Sequence, residues 1–173
     1  MWFDEDITRY GHEASYFLKG IKSDMWEGGH RMPFIVKWPG HTPENTSSSE
    51  LICFTDMLAT FAELVDTEID TKQFDSHSIL PVISGNTYES PIRNELLIDK
   101  KALITNEWKY IEGHGGDGFN RAYSPSKERF QNLPRNEGEL YHIVSDSAES
   151  RNLYLENADI AARMKQQLIN VIK

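Results

Sequence analysis

The chain has one cysteine in its 173 residues, Cys53, so no disulfide can form within it. It has no apolar run near the ~18 residues that a membrane span needs. Positive charge is in short supply as well: 18 lysines and arginines stand against 27 acids, a formal net charge of −9. That balance makes nucleic acid and anionic membrane poor partners, although a locally basic pocket for an anion is compatible with it. The first ten residues, MWFDEDITRY, lack the basic and apolar regions of a signal peptide, so none is expected. The six histidines, at 12, 30, 41, 77, 114 and 142, form no H-x-x-x-H pair, and there is no C-x-x-C and no Walker phosphate loop. The glycine-rich stretch at 113–118 has the wrong spacing for a nucleotide cradle and reads as a flexible loop.

Aromatic residues are not scarce. Four tryptophans, seven tyrosines and eight phenylalanines argue for a folded chain. Residues 34–38, Phe-Ile-Val-Lys-Trp, are bulky and β-prone and are closed by Pro39-Gly40, which predicts a buried strand ending in a turn. Phe54, Met57, Leu58, Phe61, Leu64 and Val65 share one face at helical spacing, with Thr55 as the expected N-cap. A short helical piece is expected through Ser78 to Ile83, stopping at Gly85. Residues 102–105 and 108–111 read as a hairpin around Asn106-Glu107, and 140–144 as another strand. Residues 113–138 read as a long loop. Ile160, Met164, Leu168, Val171 and Ile172 mark a terminal helix. The expected class is α+β, a small antiparallel sheet packed against a C-terminal helix. The expected division is 1–88 and 89–173. Cys53 lies in the apolar run Leu-Ile-Cys-Phe and reads as a packed thiol.

The most specific segment is GIKSDMWEGGHRMPFIVKWPG, residues 20–40. It resembles the sulfatases, the formylglycine-dependent sulfuric-ester hydrolases of the alkaline phosphatase superfamily, which carry G-x-K-x-x-x-[WYF]-[ED]-G-G-x-R-x-P before a strand and W-P-G. The matching residues are Gly20, Lys22, Trp26, Glu27, Gly28, Gly29, Arg31 and Pro33, then Trp38-Pro39-Gly40. Upstream, Tyr10 to Tyr16 is similar to a G-H-x-x-S-Y piece of members acting on sulfated carbohydrates. Downstream, Asp56 to Thr60 resembles the D-[LM]-x-x-T helix. Leu103 to Tyr110 resembles the x-R-x-x-x-[WY]-K-[YL] hairpin, with Ile104 or Thr105 near the usual arginine, and Glu139 to Leu153 the L-Y-[DN]-L-x-x-D-P-x-E-x-x-N-L stretch, with Ala148 near the usual proline.

The resemblance implies the C-terminal third or so of an α/β sulfatase fold. Residues 1–88 would close the catalytic domain, and 89–173 would form its small subdomain. It implies a sulfated small molecule or glycan as substrate, calcium and formylglycine as cofactors, and a periplasmic or extracellular setting. The C/S-x-P-S-R nucleophile segment and the metal-binding aspartates are not in this sequence, so no metal ligand is assigned and the chain alone is expected to be inactive. A non-catalytic folding or interaction module is the alternative.

Taken blind, Lys22 is a surface lysine; the resemblance makes it the contact to the sulfate, a compact cation against the oxygens of the group in flight. His12 becomes a candidate substrate contact or proton donor, against a plain loop histidine. His114 is a candidate for the rim of a substrate pocket. Glu27, Gly28, Gly29 and Arg31 read as structural support, the glycines through backbone freedom and Glu27 with Arg31 as an ion pair. His30 reads as a structural hydrogen bond, and Trp26 as packing in preference to a sugar platform.

Overall fold

The computed structural model describes residues 4–86, 88–116 and 137–172. The long loop expected at 113–138 therefore lies for the most part outside the described residues. Contacts group Met1–Met32 with Leu97–Lys173 as one unit and Pro33–Leu96 as another. This cuts the chain differently from a single boundary near residue 88. The physical reason is that residues 24–30 pack on a sheet built from the far end of the sequence.

Among the described residues the first unit holds α1 (Asp4–Tyr10), the short α2 (Glu27–His30), the terminal α3 (Ala158–Ile172) and a set of strands, the first of which begins two residues before the boundary at Leu97. The strands β1 (Glu95–Ile98), β2 (Ala102–Thr105), β3 (Trp108–Glu112) and β4 (Gly138–His142) lie side by side in sequence order as a small antiparallel sheet. Asp99 and Lys100 join β1 to β2, both at positive φ, as a tight hairpin turn demands. At the β2–β3 turn Asn106-Glu107 is no Asn-Gly. The Thr105 hydroxyl compensates, accepting from the Trp108 N–H and donating to the Trp108 carbonyl, each at 3.1 Å. The hairpin is as expected. The last strand sits two residues earlier than the 140–144 reading, since Ser145 N–H turns back to the His142 carbonyl and Val144 is exposed.

Register sorts the side chains. Leu103 pairs with Tyr110 and Tyr110 with Leu140, and this row meets Ala161, Met164 and Leu168 of α3 in one core. The opposite row pairs Ala102 with Ile111 and Ile104 with Lys109, then Lys109 with Tyr141 and Ile111 with Glu139. Met25 and Trp26 cover that face together with Ala102, Ile111 and Tyr141. The sheet is thus buried on both sides, and two charged residues, Lys109 and Glu139, are buried with it.

The second unit departs most from expectation. Among the described residues it holds the helices α4 (Asp56–Leu64), α5 (Thr71–Phe74) and α6 (Leu80–Ile83). Helix α6 matches the reading at 78–83, with Pro81 in its first turn and Gly85 beyond its end at φ +66°. Residues 34–38 form no strand. A strand exists through its neighbour's hydrogen bonds, and none of the described strands pairs with this segment, whose Ile35 is 90% exposed. The Trp38-Pro39-Gly40 turn does form, with the His41 and Thr42 N–H groups on the Trp38 carbonyl.

Helix α4 buries Asp56, Ala59, Thr60 and Ala62, whereas Phe54, Leu58, Phe61 and Val65 are exposed. Hydrogen bonds orient it: Ala59 N–H donates to Ser76 Oγ, and Ile79 N–H to Thr60 Oγ1. The Thr55 side chain does not cap it; the Asp56 carboxylate accepts from the Cys53 and His77 N–H groups and from Arg93 at 2.6 Å. Burial would raise that carboxyl, but Arg93 and the two N–H groups hold it below its ordinary value. The D-[LM]-x-x-T pattern is therefore a brace for residues 75–79 and Arg93. Cys53 is half-buried, its sulfur 2.9 Å from Thr55 Oγ1. No helix among the described residues is long and apolar enough to cross a membrane.

Candidate functional site

Lys22 stands on a four-residue turn, Ile21–Asp24. Asp24 N–H donates to the Ile21 carbonyl at 2.9 Å, and the Asp24 carboxylate accepts the Ile21 N–H at 2.9 Å. Asp24 is buried and Lys22 is exposed. No described residue gives Lys22 a hydrogen bond or an ion pair. The turn is tight: Ser23 has φ +80° and Gly20 φ +84°.

The glycine pair lies under this turn. A Cβ on Gly28 would sit 2.3 Å from the Gly20 carbonyl oxygen, and one on Gly29 would sit 2.0 Å from that of Asp24. Both glycines are in α2, and neither has a positive φ. Their reason is close approach and not the backbone freedom expected of them: two stretches of main chain touch where a side chain would stand.

Glu27 is buried. Its carboxylate lies 2.9 Å from Lys109 Nζ, 3.3 Å from Arg31 Nη1 and 3.5 Å from His30 Nε2. The expected Glu27–Arg31 pair is present, yet the stronger partner is Lys109, fully buried and also 2.9 Å from Glu149 Oε1. Glu149 Oε2 in turn accepts the Glu27 N–H. Two carboxylates thus share one ammonium. Burial pushes both up, but His30 and Lys109 hold Glu27 down to about 2. Glu149, the more enclosed, is raised to about 7 in spite of Lys109.

Trp26 is fully buried, which accords with packing. Its indole N–H donates to Glu139 Oε2 at 2.6 Å, and Lys19 Nζ lies 4.2 Å above its ring. Glu139 also receives the Tyr141 hydroxyl and the Gly115 N–H. Lys19 donates to the Tyr141 oxygen at 2.9 Å; burial lowers its pKa, against the pull of Glu139, Glu149 and Asp146.

His114 stands edge-on to Trp26 at 5.2 Å and 3.8 Å from Glu139, its side chain 11% exposed. It is brought to the Trp26 cluster. His12 is exposed, just after Gly11 at φ +63°. Among the described residues no three His, Cys, Asp or Glu side chains are placed to hold a metal ion.

A family model, the C-terminal region of N-sulphoglucosamine sulphohydrolase, matches residues 13–173. The chain belongs to this sulfatase family. It is 45% identical over 74 residues to an arylsulfatase of Hemicentrotus pulcherrimus, covering 42% of this chain and 13% of that protein. It is 25% identical to an N-acetylgalactosamine-6-O-sulfatase of Bacteroides thetaiotaomicron, over 93% of this chain and 31% of that one. A solved structure from glycosaminoglycan metabolism in the same bacterium superposes with TM-score 0.73 at 23% identity, over 97% of this chain and 35% of that one. The chain spans about a third of the length of these two full-span relatives and corresponds to the C-terminal part of a sulfatase.

In this sulfatase region three of the separate motifs, all in the first unit, prove to be one assembly. Glu27 of W-E-G-G meets Lys109 of W-K-Y, and Trp26 meets Glu139 of E-L-Y. Asn152 of the last motif accepts the Leu140 and Tyr154 N–H groups. Lys109, Glu139 and Glu149 escaped the sequence reading as site residues. Lys109 did leave a signal: a charge between Ile104 and Ile111 on one face of a hairpin calls for a buried partner. Asp24 left none.

Proposed function

We propose that this chain forms part of a sulfuric-ester hydrolase and that Lys22 binds the sulfate of its substrate. One observation carries this reading: the turn around Lys22 is held from within by the Asp24 carboxylate and the glycine pair, while Lys22 is exposed and has no partner among the described residues. A sulfate ester presents non-bridging oxygens whose charge must be held, and an unpaired lysine on a rigid turn is ready to hold them without reorganising. The names of the full-span relatives, an N-acetylgalactosamine-6-O-sulfatase and an ulvan-active sulfatase of Formosa agariphila, favour a sulfated glycan over a simple aryl sulfate. His12, exposed in the segment that resembles carbohydrate-acting members, is proposed as a substrate contact or proton donor.

Calcium and formylglycine go with the family, but the described residues offer no fitting donor set and the sequence has no C/S-x-P-S-R segment. The second reading is a folding or interaction module. The two separate on whether an in-frame C/S-x-P-S-R segment is encoded upstream.

The test has two arms. Residues 1–173 alone are expected to turn over no aryl sulfate, and Lys22-dependent turnover by this chain would overturn that. In the protein that joins this chain to the family's nucleophile segment, Lys22→Ala is expected to lower turnover by about a hundredfold with the unfolding midpoint unchanged. Near-normal turnover would remove Lys22 from the site.

A further inference from the structure

We infer that Asp24 is a positioning residue for sulfate capture, acting through Lys22. This rests on the reading of Lys22 as the sulfate contact. Asp24 is 1% exposed, and burying a carboxylate is unfavourable unless hydrogen bonds repay it. An apolar side chain would suit a merely packed position better. Here the carboxylate closes a reciprocal pair with Ile21, 2.9 Å in each direction, across the exposed Lys22 and the half-buried Ser23. Ser23 is held at φ +80°, a conformation that an L-residue keeps only where its surroundings impose it.

Three further contacts show what imposes it. A Cβ on Gly20 would lie 3.1 Å from Asp24 Oδ2, so the glycine leaves room for the carboxylate. The Asp24 carbonyl presses on Gly29, and the Met25 N–H that follows donates to the Gly115 carbonyl at 2.7 Å. Asp24 therefore ties the turn inward to the sheet-covering layer, and Lys22 is the residue left pointing out. The carboxylate's task is to accept one N–H, which the amide oxygen of asparagine also does.

The test is a titration of the 173-residue chain with sodium sulfate, against sodium chloride at matched ionic strength, followed by the amide NMR signals of residues 20–25. Signals of folded molecules report affinity apart from stability. Wild type is expected to show a saturable shift that Lys22→Ala abolishes. Asp24→Ala is expected to weaken sulfate about fivefold or more, and Asp24→Asn to retain most of the affinity. Should Asp24→Ala fail to fold, Ser23→Gly decides: glycine accepts the positive φ, so the fold survives while the turn loosens and sulfate weakens. Wild-type affinity in Asp24→Ala, or in Ser23→Gly where that stands in, overturns the inference and leaves Lys22 in place. An Asp24→Asn variant as weak as the alanine overturns the acceptor role. A response that is absent, or that Lys22→Ala leaves intact, removes the Lys22 reading and this inference with it.

Discussion

A methyl group on Gly29 would meet the carbonyl oxygen of Asp24 at 2.0 Å, and main chain cannot swing aside as a flexible side-chain tip can. Gly29→Ala is therefore expected to cost about 1–3 kcal/mol, the range for overpacking a filled site, and to displace the turn that carries Lys22. Urea unfolding would show the loss, and sulfate affinity would fall with it. A variant of wild-type stability would mean that the turn yields freely. Gly28 and Gly29 stood out in the sequence, but their reason did not, because a string of letters shows that a side chain is missing and not what occupies its place. Trp26 was legible as packing, and the contact between Glu27 and Arg31 as a pair. Asp24 was silent: the pattern treats its position as open, and its importance arises from a turn geometry that no spacing encodes.

Strands and helices were legible where their partners lie within the same unit. The β2–β3 hairpin and the terminal helix followed from periodicity because each buries its apolar row against neighbours in the same unit. The segment at 34–38 and the face of α4 did not follow, since periodicity marks an apolar face without saying what covers it. The element that decides the first unit's energetics is β3, through Lys109. Lys109→Met would leave Glu27 and Glu149 confronting each other in the interior, at a cost of about 3–5 kcal/mol. The two carboxyls also give stability opposite slopes with pH. Glu27, held at about 2 against its ordinary 4.5, contributes stability that is present above 4.5 and lost as pH falls toward 2. Glu149, raised from 4.5 to about 7, favours the protonated folded state, so its contribution is complete below 4.5 and is lost as pH rises through 7. That second window is worth on the order of 3 kcal/mol. Urea unfolding of wild type is expected to weaken from pH 5 to 8, and Glu149→Gln is expected to flatten that slope. An equal slope in both chains would place the proton elsewhere.

At the scale of the whole molecule, the distribution of apolar surface decides how the chain behaves in solution. The first unit has a core on each face of its sheet. The second unit turns much of its apolar surface outward: Ile35 is 90% exposed, Phe54 80%, Val65 69% and Phe61 57%. Leu58 and Phe61 on α4, with Phe54 and Val65 just beyond its two ends, follow one another at helical spacing, and a contiguous apolar face of this kind promotes association. The 173-residue chain is therefore expected to bind a hydrophobic dye and to sediment above its monomer mass of 19.9 kDa. Replacing Ile35, Phe54 and Phe61 together by lysine removes apolar surface that the fold does not bury. It should lower both signals while the unfolding midpoint stays within about 1 kcal/mol of wild type, as substitutions at exposed positions usually do. A wild-type chain that is monomeric and binds little dye would contradict the exposed face. A triple variant that unfolds would show that those side chains are buried against something in solution, which exchange of their amide hydrogens would then locate.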